Sequence, residues 1–577
     1  MKRLFFAAAF AFVATFAGAQ NLAEAIKYSQ NDYLGTARSM ALGNAMTALG
    51  GDLGSVGINP AGSAIAPYSQ FTISPGISMS SSRSGYSSWA EEYYRNQNNI
   101  SQNKGYLPNI GVTFTFDTYR KSGLKSYTLG FVSNVTSTYN QAFEAVGVNE
   151  KTSMLGSFAV GAAPYKPGEL NNKGNYFNSS IPWNYLMAYQ SGMIADAYDE
   201  NGNPMVDEFG NYTYLGTTEG LFKNSDGTYD IRTLGALTQT SRVRQIGAKQ
   251  DLIMNLGLNF NDNFFLGVNF GMPFGNYVYR EYFREAAVNP EDLAIEYNYN
   301  NGTVANFSHS VYQYSQNSSF AGFYSKVGFI WLADGGFRIG AAFQTPSLVT
   351  ITDKWTVAGS TSFTDSQYNA SAQPGQNSEY SYNLMMPYRF NAGIAYTFWD
   401  RGLLSFDFEM ADYGIMRYKT VDNYIGNSDY FAVENDVNRN FAGMAFQGRI
   451  GAELRLFQDI ALRAGAIYST SPEYLRLDNN GEYINANTYL NNYEEFRSGR
   501  ASLHGRKPMN DLNWIYSFGL GYSSKGSFFA DFAMRIKPLP ASYFNPYTDY
   551  IGGGDYTPEI ETFWRSGDMV LTLGWRF

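Results

Sequence analysis

The chain has no cysteine and only two histidines in 577 residues, and charged residues make up no more than 16% of it. Without cysteine there is no disulfide, no lipid-attachable thiol and no thiolate metal site. Histidine is confined to His309 and His504, both in predicted outer loops, so catalysis by a histidine base has little to draw on. The chain does not read as an enzyme, and neither a metal nor a cofactor is expected. A net charge of -9 argues against nucleic acid as a partner, since such partners are held by clustered Lys and Arg. Beyond residue 16 no apolar run approaches the ~20 residues that a membrane helix needs, which excludes a helical membrane protein.

What is present begins with Lys2 and Arg3, an apolar run from Leu4 to Phe16, and the small-residue site Ala17-Gly18-Ala19. This pattern reads as a secretory signal peptide over residues 1–19, with the mature chain starting at Gln20. Aromatics reach 17%, with 46 Tyr and 43 Phe beside 58 Gly. Such a composition suits strands with aromatic girdles at both membrane interfaces and glycine-marked turns.

Period-two alternation then recurs along the chain, as it must where strands face lipid and lumen by turns. Leu252, Met254, Leu256 and Leu258 alternate with small or polar residues, Asn261-Asp262-Asn263 turns, and Phe264, Leu266, Val268 and Phe270 resume the pattern. Similar hairpins centre on Asp334-Gly335-Gly336, Asp400-Arg401-Gly402, Gln458-Asp459 and Ser524-Lys525-Gly526. With less tidy segments near 70–80, 107–117 and 126–136, and a closing strand over 567–577, the expectation is an all-β fold: a transmembrane antiparallel barrel of fourteen strands spanning 69–577. Short connections alternate with long ones, the largest at about 137–249. Short turns belong on the periplasmic side and long loops outside, which puts the protein in the outer membrane.

Each strand has a second face. Arg338, Arg389, Asp407, Glu409, Arg449, Glu453, Arg455, Arg463, Asp531 and Arg535 all fall opposite the apolar stripe, so a paired charge network is expected in the lumen. In the third strand the lipid-facing series Tyr127, Leu129, Phe131 is broken by Ser133 before Val135, with Asn134 alongside. The break reads either as the interfacial end of the strand, where polar residues cost little, or as an inward kink that makes Ser133 and Asn134 a candidate lateral opening. At the other end Met569, Leu571, Leu573 and Trp575 alternate up to a terminal Phe577, which resembles the C-terminal signal read by the barrel assembly machinery.

Some fifty residues, 20–68, lie ahead of the first strand. Gly51 to Gly62 reads GDLGSVGINPAG, and Asn59, Pro60 and Ala61 form a motif that by itself is only a turn. An alanine-rich segment, an acidic residue, a small-residue stretch and N-P-A just before strand one resembles the N-terminal hatch of the FadL-type long-chain fatty acid transporter family. Phe337 to Ser347, Pro387 to Phe398, Arg449 to Pro472 and Trp514 to Phe532 are similar to that family's strands in the same order. The resemblance implies a hatch plugging the lumen and a monomeric channel for passive uptake of small hydrophobic molecules such as long-chain fatty acids, in contact with outer-membrane lipid. Trp183, Leu186, Met187, Met193 and Ile194 in the long loop, spaced along one side of a possible helix, are candidates either for capture or for packing beneath the loop. The alternatives are a FadL-like barrel that docks partner proteins in an envelope secretion assembly, or a general porin.

Overall fold

The computed structural model describes residues 21–577 apart from 89–96, 200–201, 208–209, 226–228, 299–302, 399–400, 422–429, 458, 510–512, 525, 539–540 and 552–555. The expected signal peptide with Gln20, and the turn residues Asp400, Gln458 and Lys525, lie outside the described residues.

Alternating side chains and local turn chemistry build the wall. At the hairpin after Phe260, Asn261 and Asp262 both adopt left-handed φ (56° and 57°), the conformation that suits a tight turn between twisted strands. Gly335 and Gly336 do the same at φ 77° and 89°. In chain order the wall comprises β1 (Gln70–Ser87), β2 (Gln97–Asp117), β3 (Leu124–Thr138, continued by Gln141–Asn149), β4 (Leu237–Phe260), β5 (Phe264–Ala287) and β6 (Thr303–Leu332). It goes on with β7 (Phe337–Gln344 and Leu348–Phe363), β8 (Ser378–Met385 and Arg389–Phe398), β9 (Gly402–Asp412 and Arg417–Thr420) and β10 (Met444–Arg455). The circuit ends with β11 (Ile460–Ser469), β12 (Asn513–Ser523), β13 (Phe528–Pro538 and Ser542–Phe544) and β14 (Glu559–Arg576). Each strand pairs antiparallel with the next, and β14 pairs back onto β1 from Gln70↔Arg576 to Ser87↔Glu559, closing a fourteen-stranded barrel.

The outer face carries exposed Leu252, Met254, Leu256, Phe270, Phe274, Ile394, Phe406, Ile450, Phe518 and Leu571, an apolar belt running round the wall. A closed antiparallel barrel satisfies every wall amide without water and can sit in hydrocarbon, so this is a transmembrane barrel of the outer-membrane kind. Among the described residues no helix is long and apolar enough to cross a membrane. β4, β5 and β6 run for 24, 24 and 30 residues, far beyond the ~9–11 needed to cross, and so carry the wall on above the membrane. Their length corrects one expectation. The largest outer excursion is 150–236 rather than about 137–249, because β3 resumes over Gln141–Asn149 and β4 begins at Leu237. Strand segments above the belt have no lipid face, and their alternation is too weak to read. His309, expected in a loop, likewise sits on β6 opposite Ala286.

Candidate functional site

The N-terminal segment fills the lumen. Helix α1 (Leu22–Ser29) starts at Asn21, whose side chain accepts from the Glu24 amide at 2.9 Å. It buries Leu22, Ile26 and Tyr28 against Tyr277, Phe320, Ile351 and Tyr382 of β5 to β8, with Tyr28 5.3 Å from Phe320, ring to ring. The chain descends to α2 (Ala37–Ala41) beside β12 to β14 and then follows the inner wall back toward β4. It reaches β1 at Ser69, whose backbone exchanges two hydrogen bonds with Phe577. Phe577 itself lies exposed beside Phe114.

Two devices hold this hatch. The first is a track of wall glycines facing inward: a Cβ at Gly257, Gly267, Gly328, Gly340, Gly451 or Gly465 would overlap Ser63, Pro60, Asn59, Thr47, Leu42 or Gly43 respectively. Cross-strand register makes the track continuous over Gly257↔Gly267↔Gly328 and over Gly451↔Gly465. The second is a set of wall cations gripping hatch carbonyls: Lys249 on Tyr28 O (2.8 Å), Lys326 on Gly57 O (2.7 Å), Arg535 on Asp32 O (3.1 Å) and Arg338 on Leu49 O (3.2 Å). The sequence reading found neither. The available signal was a lone glycine recurring at mid-strand, where glycine weakens a strand unless another backbone needs its space.

Seven of the ten expected lumen charges pair, while Arg338 and Asp407 hold the hatch backbone at Leu49 O and Thr47 N and Arg455 lines the space below the hatch. Glu409 lies between Arg389 (2.7 Å) and the fully buried Arg449, while Arg463 bridges Glu453 (2.7 Å) and Asp531 (2.5 Å). Arg535 meets Asp568 at 2.8 Å. Tyr33 adopts a left-handed φ of 50°, a strained state for a bulky residue, and is held there by its hydroxyl on Glu409 (2.9 Å) and the Arg449 guanidinium 4.8 Å above its ring. In the turn motif, Asn59 is fully buried. Its amide nitrogen donates to Thr47 O (2.7 Å) and Phe329 O (2.9 Å), and its oxygen accepts from Ala61 N (3.1 Å), with Pro60 opening the short helical turn.

The wall parts at the third strand. β2 and β3 pair only from Asp117↔Ser126 to Asn109↔Asn134; above that rung β3 bulges between Val135 and Ser137 and continues along β4 alone. Val135, expected on the lipid face, turns inward and is buried. The backbone carbonyls freed by the bend accept from the hatch instead, Val135 O from Leu34 N (2.8 Å) and Thr136 O from Asp32 N (2.6 Å). Asn134 is buried at this point, accepting from Asn109 (2.7 Å) and donating to Leu53 O of the hatch (3.4 Å). Ser133 is half-buried and accepts from Gln250 (2.6 Å).

Above the lumen, residues 150–236 fold into a cap around α3 (Met154–Ala162) and α4 (Trp183–Gln190). Of the capture candidates, Leu186, Met187, Met193 and Ile194 are almost wholly buried in the cap's interior, so they are its packing and not an open surface. The helical spacing was real; its apolar side faces β7, where Met187 fills the space left by Gly359. Trp183 alone stays half-exposed, edge-on to exposed Phe177 (5.1 Å) and tilted over Trp355 (6.3 Å). Within the cap, burial lifts the Glu219 carboxyl from 4.5 to about 7, with Glu285 of β5 adding to the rise, while the Tyr550 hydroxyl and the Gly216 amide hold it down. At the periplasmic end a polar vestibule of about 630 Å³ opens below the hatch, lined by Arg38, Asp52, Arg338, Glu453 and Arg455 among others.

No family model and no curated protein matches the chain. Among solved structures it is similar to the P. putida toluene transporter TodX, at 11% identity and a TM-score of 0.46, over 95% of this chain and 99% of that one. It is also similar to a Pseudomonas aeruginosa FadL homologue, at 10% and 0.45 over 95% and 98%, and to the Ralstonia pickettii toluene transporter TbuX, at 12% and 0.40 over 95% and 99%. Identity this low carries no residue role across.

Proposed function

We propose that the chain is an outer-membrane channel for passive uptake of small hydrophobic molecules, caught outside and released sideways into the membrane. The observation that carries this reading is the parted seam between β2 and β3, whose ladder stops at Asn109↔Asn134 while the hatch takes over the freed carbonyls. A hydrophobe crossing the hydrated outer surface gains by never entering periplasmic water, and a side exit supplies that route. A lumen filled by the hatch disfavours the general porin. Capture falls to the aromatic platform of Phe177, Trp183 and Trp355, the exposed counterpart of the buried residues first singled out. The protein acts as a monomer, and Phe577, anchored to Ser69, serves as the assembly signal.

The test is to mend the seam. Ser133→Val with Asn134→Thr restores the apolar stripe and removes the polar tie to Leu53. The expected result is a heat-modifiable, surface-abundant barrel that takes up a hydrophobic fluorescent tracer at least tenfold more slowly. Undiminished uptake by a correctly assembled double mutant would reject the seam as the exit.

A further inference from the structure

Above the belt the outer surface changes character on two neighbouring strands. β5 presents Phe270, Met272 and Phe274 to lipid, and the same outward face continues with Arg280, Tyr282 and Arg284. β4 does likewise, with Arg244 and Arg242 above Leu252. Register fixes the neighbours: Arg244 stands directly opposite Arg280, Arg242 opposite Tyr282, and Arg284 opposite Thr240. Residues so placed have Cβ atoms about 4.5–5.5 Å apart, and like charges there repel.

Little answers this charge. Glu144 of β3 pairs with Arg242, while Arg244 donates from Nε only to the neutral Gln102 (3.1 Å). Among the described residues Arg244, Arg280 and Arg284 have no carboxylate within ion-pair distance. The residues across from them on the next strands, Ala142, Ser315 and Val311, are uncharged, and His309, one outward position beyond Val311, brings no negative charge. Elsewhere on the wall Lys354 has its partner Glu379 at 3.1 Å. The cluster also runs against a chain of net charge -9. On a strand tilted by ~45°, Arg280 lies about 14 Å beyond Phe274, at the height of lipid headgroups and no longer of acyl chains.

We propose that this face of β4 and β5 binds the phosphate groups of an outer-leaflet lipid headgroup. Planar guanidiniums take phosphate oxygens two at a time, and the bound anion removes the repulsion between Arg244 and Arg280. Tyr282, under the Arg242 guanidinium at 5.8 Å, gives the site an aromatic floor. Through Arg244 and Gln102 the headgroup lies against the edge of β2, at the rim of the seam. The proposal is independent of transport.

The experiment is native mass spectrometry of the intact barrel in detergent, with bisphosphorylated lipid A as the probe. Wild type is expected to retain the lipid, Arg244→Gln with Arg280→Gln to bind it at least tenfold more weakly, and Lys354→Gln to bind as wild type. Lipid A stripped of both phosphates is expected to leave no more adduct on wild type than on the double variant. A melting experiment gives a second readout: without lipid the double variant melts above wild type because the repulsion is gone, and with bisphosphorylated lipid A the order reverses. Equal retention of bisphosphorylated lipid A by wild type and double variant, as much adduct on wild type with the dephosphorylated lipid as with the bisphosphorylated one, or no change in melting order would overturn the proposal.

Discussion

At Asn59 one buried side chain joins the two turns of the hatch to β6, because both amide hydrogens and the oxygen are engaged. Asn59→Ala leaves Thr47 O and Phe329 O without their donor inside the barrel, at a cost of about 1–3 kcal/mol for each carbonyl. The expected outcome is a heat-modifiable barrel that shows conductance bursts in planar bilayers far more often than wild type. A variant as silent as wild type would place the hold on the hatch elsewhere. The sequence showed Asn59-Pro60-Ala61 as a turn and, by resemblance, as part of a hatch. It could not show that the asparagine reaches across to Phe329, since that contact spans 270 residues. Asn134 was legible in a similar way: a polar residue beside a broken stripe marked the right rung, but not the hatch carbonyl on the other side of it.

Among the elements, those that face lipid were the most legible. β4 to β12 carry alternation strong enough to fix which residues point outward, and exposed Leu252, Phe270, Ile394 and Phe518 all lie where that alternation puts them. The upper half of β3 and the first part of β4 were missed for want of a lipid face, and α4 stayed ambiguous because an apolar helical side is equally suited to capture and to packing. The cap above these strands is also where pH should act. Glu219 binds its proton more tightly in the folded cap than in an unfolded loop, so its contribution to docking is greatest below its ordinary value of 4.5. That contribution falls as pH rises through 4.5 to about 7, and above this the whole penalty applies, of order ~3 kcal/mol for a buried carboxyl. Hydrogen exchange across 150–236, corrected for its intrinsic pH dependence, is therefore expected to be faster at pH 8 than at pH 5.5. Glu285, which burial also lifts to about 7 and which accepts from Ser153 and Met154 of the cap, titrates over the same range, so Glu219→Gln should reduce the difference and Glu219→Gln with Glu285→Gln remove it; a double variant that keeps it would assign the effect to another group.

For the whole molecule, the hatch is the largest object in the lumen, and its removal is the plainest test of what blocks the channel. Deleting residues 21–68 while keeping the signal peptide and Gln20 should turn a nearly silent barrel into one with steady ion conductance, measured in planar bilayers. An intact protein that already conducts like an open pore would end the hatch reading. The glycine track bears on the history of the molecule as well as on its fit. The glycine track holds the hatch against β4 to β11, and the chain leaves the hatch for the wall at Ser69, on the rung where β1 meets the end of β14. At Gly267, Gly340, Gly451 and Gly465 the wall lies directly against hatch backbone, so the hatch has no room to be threaded along the track into a finished cylinder. It has to be laid down while the sheet is still an open trough, and the β1–β14 zipper then shuts over it. Once the cylinder is shut, the guest can loosen only by unravelling in place, from α1 downward, and never by leaving whole.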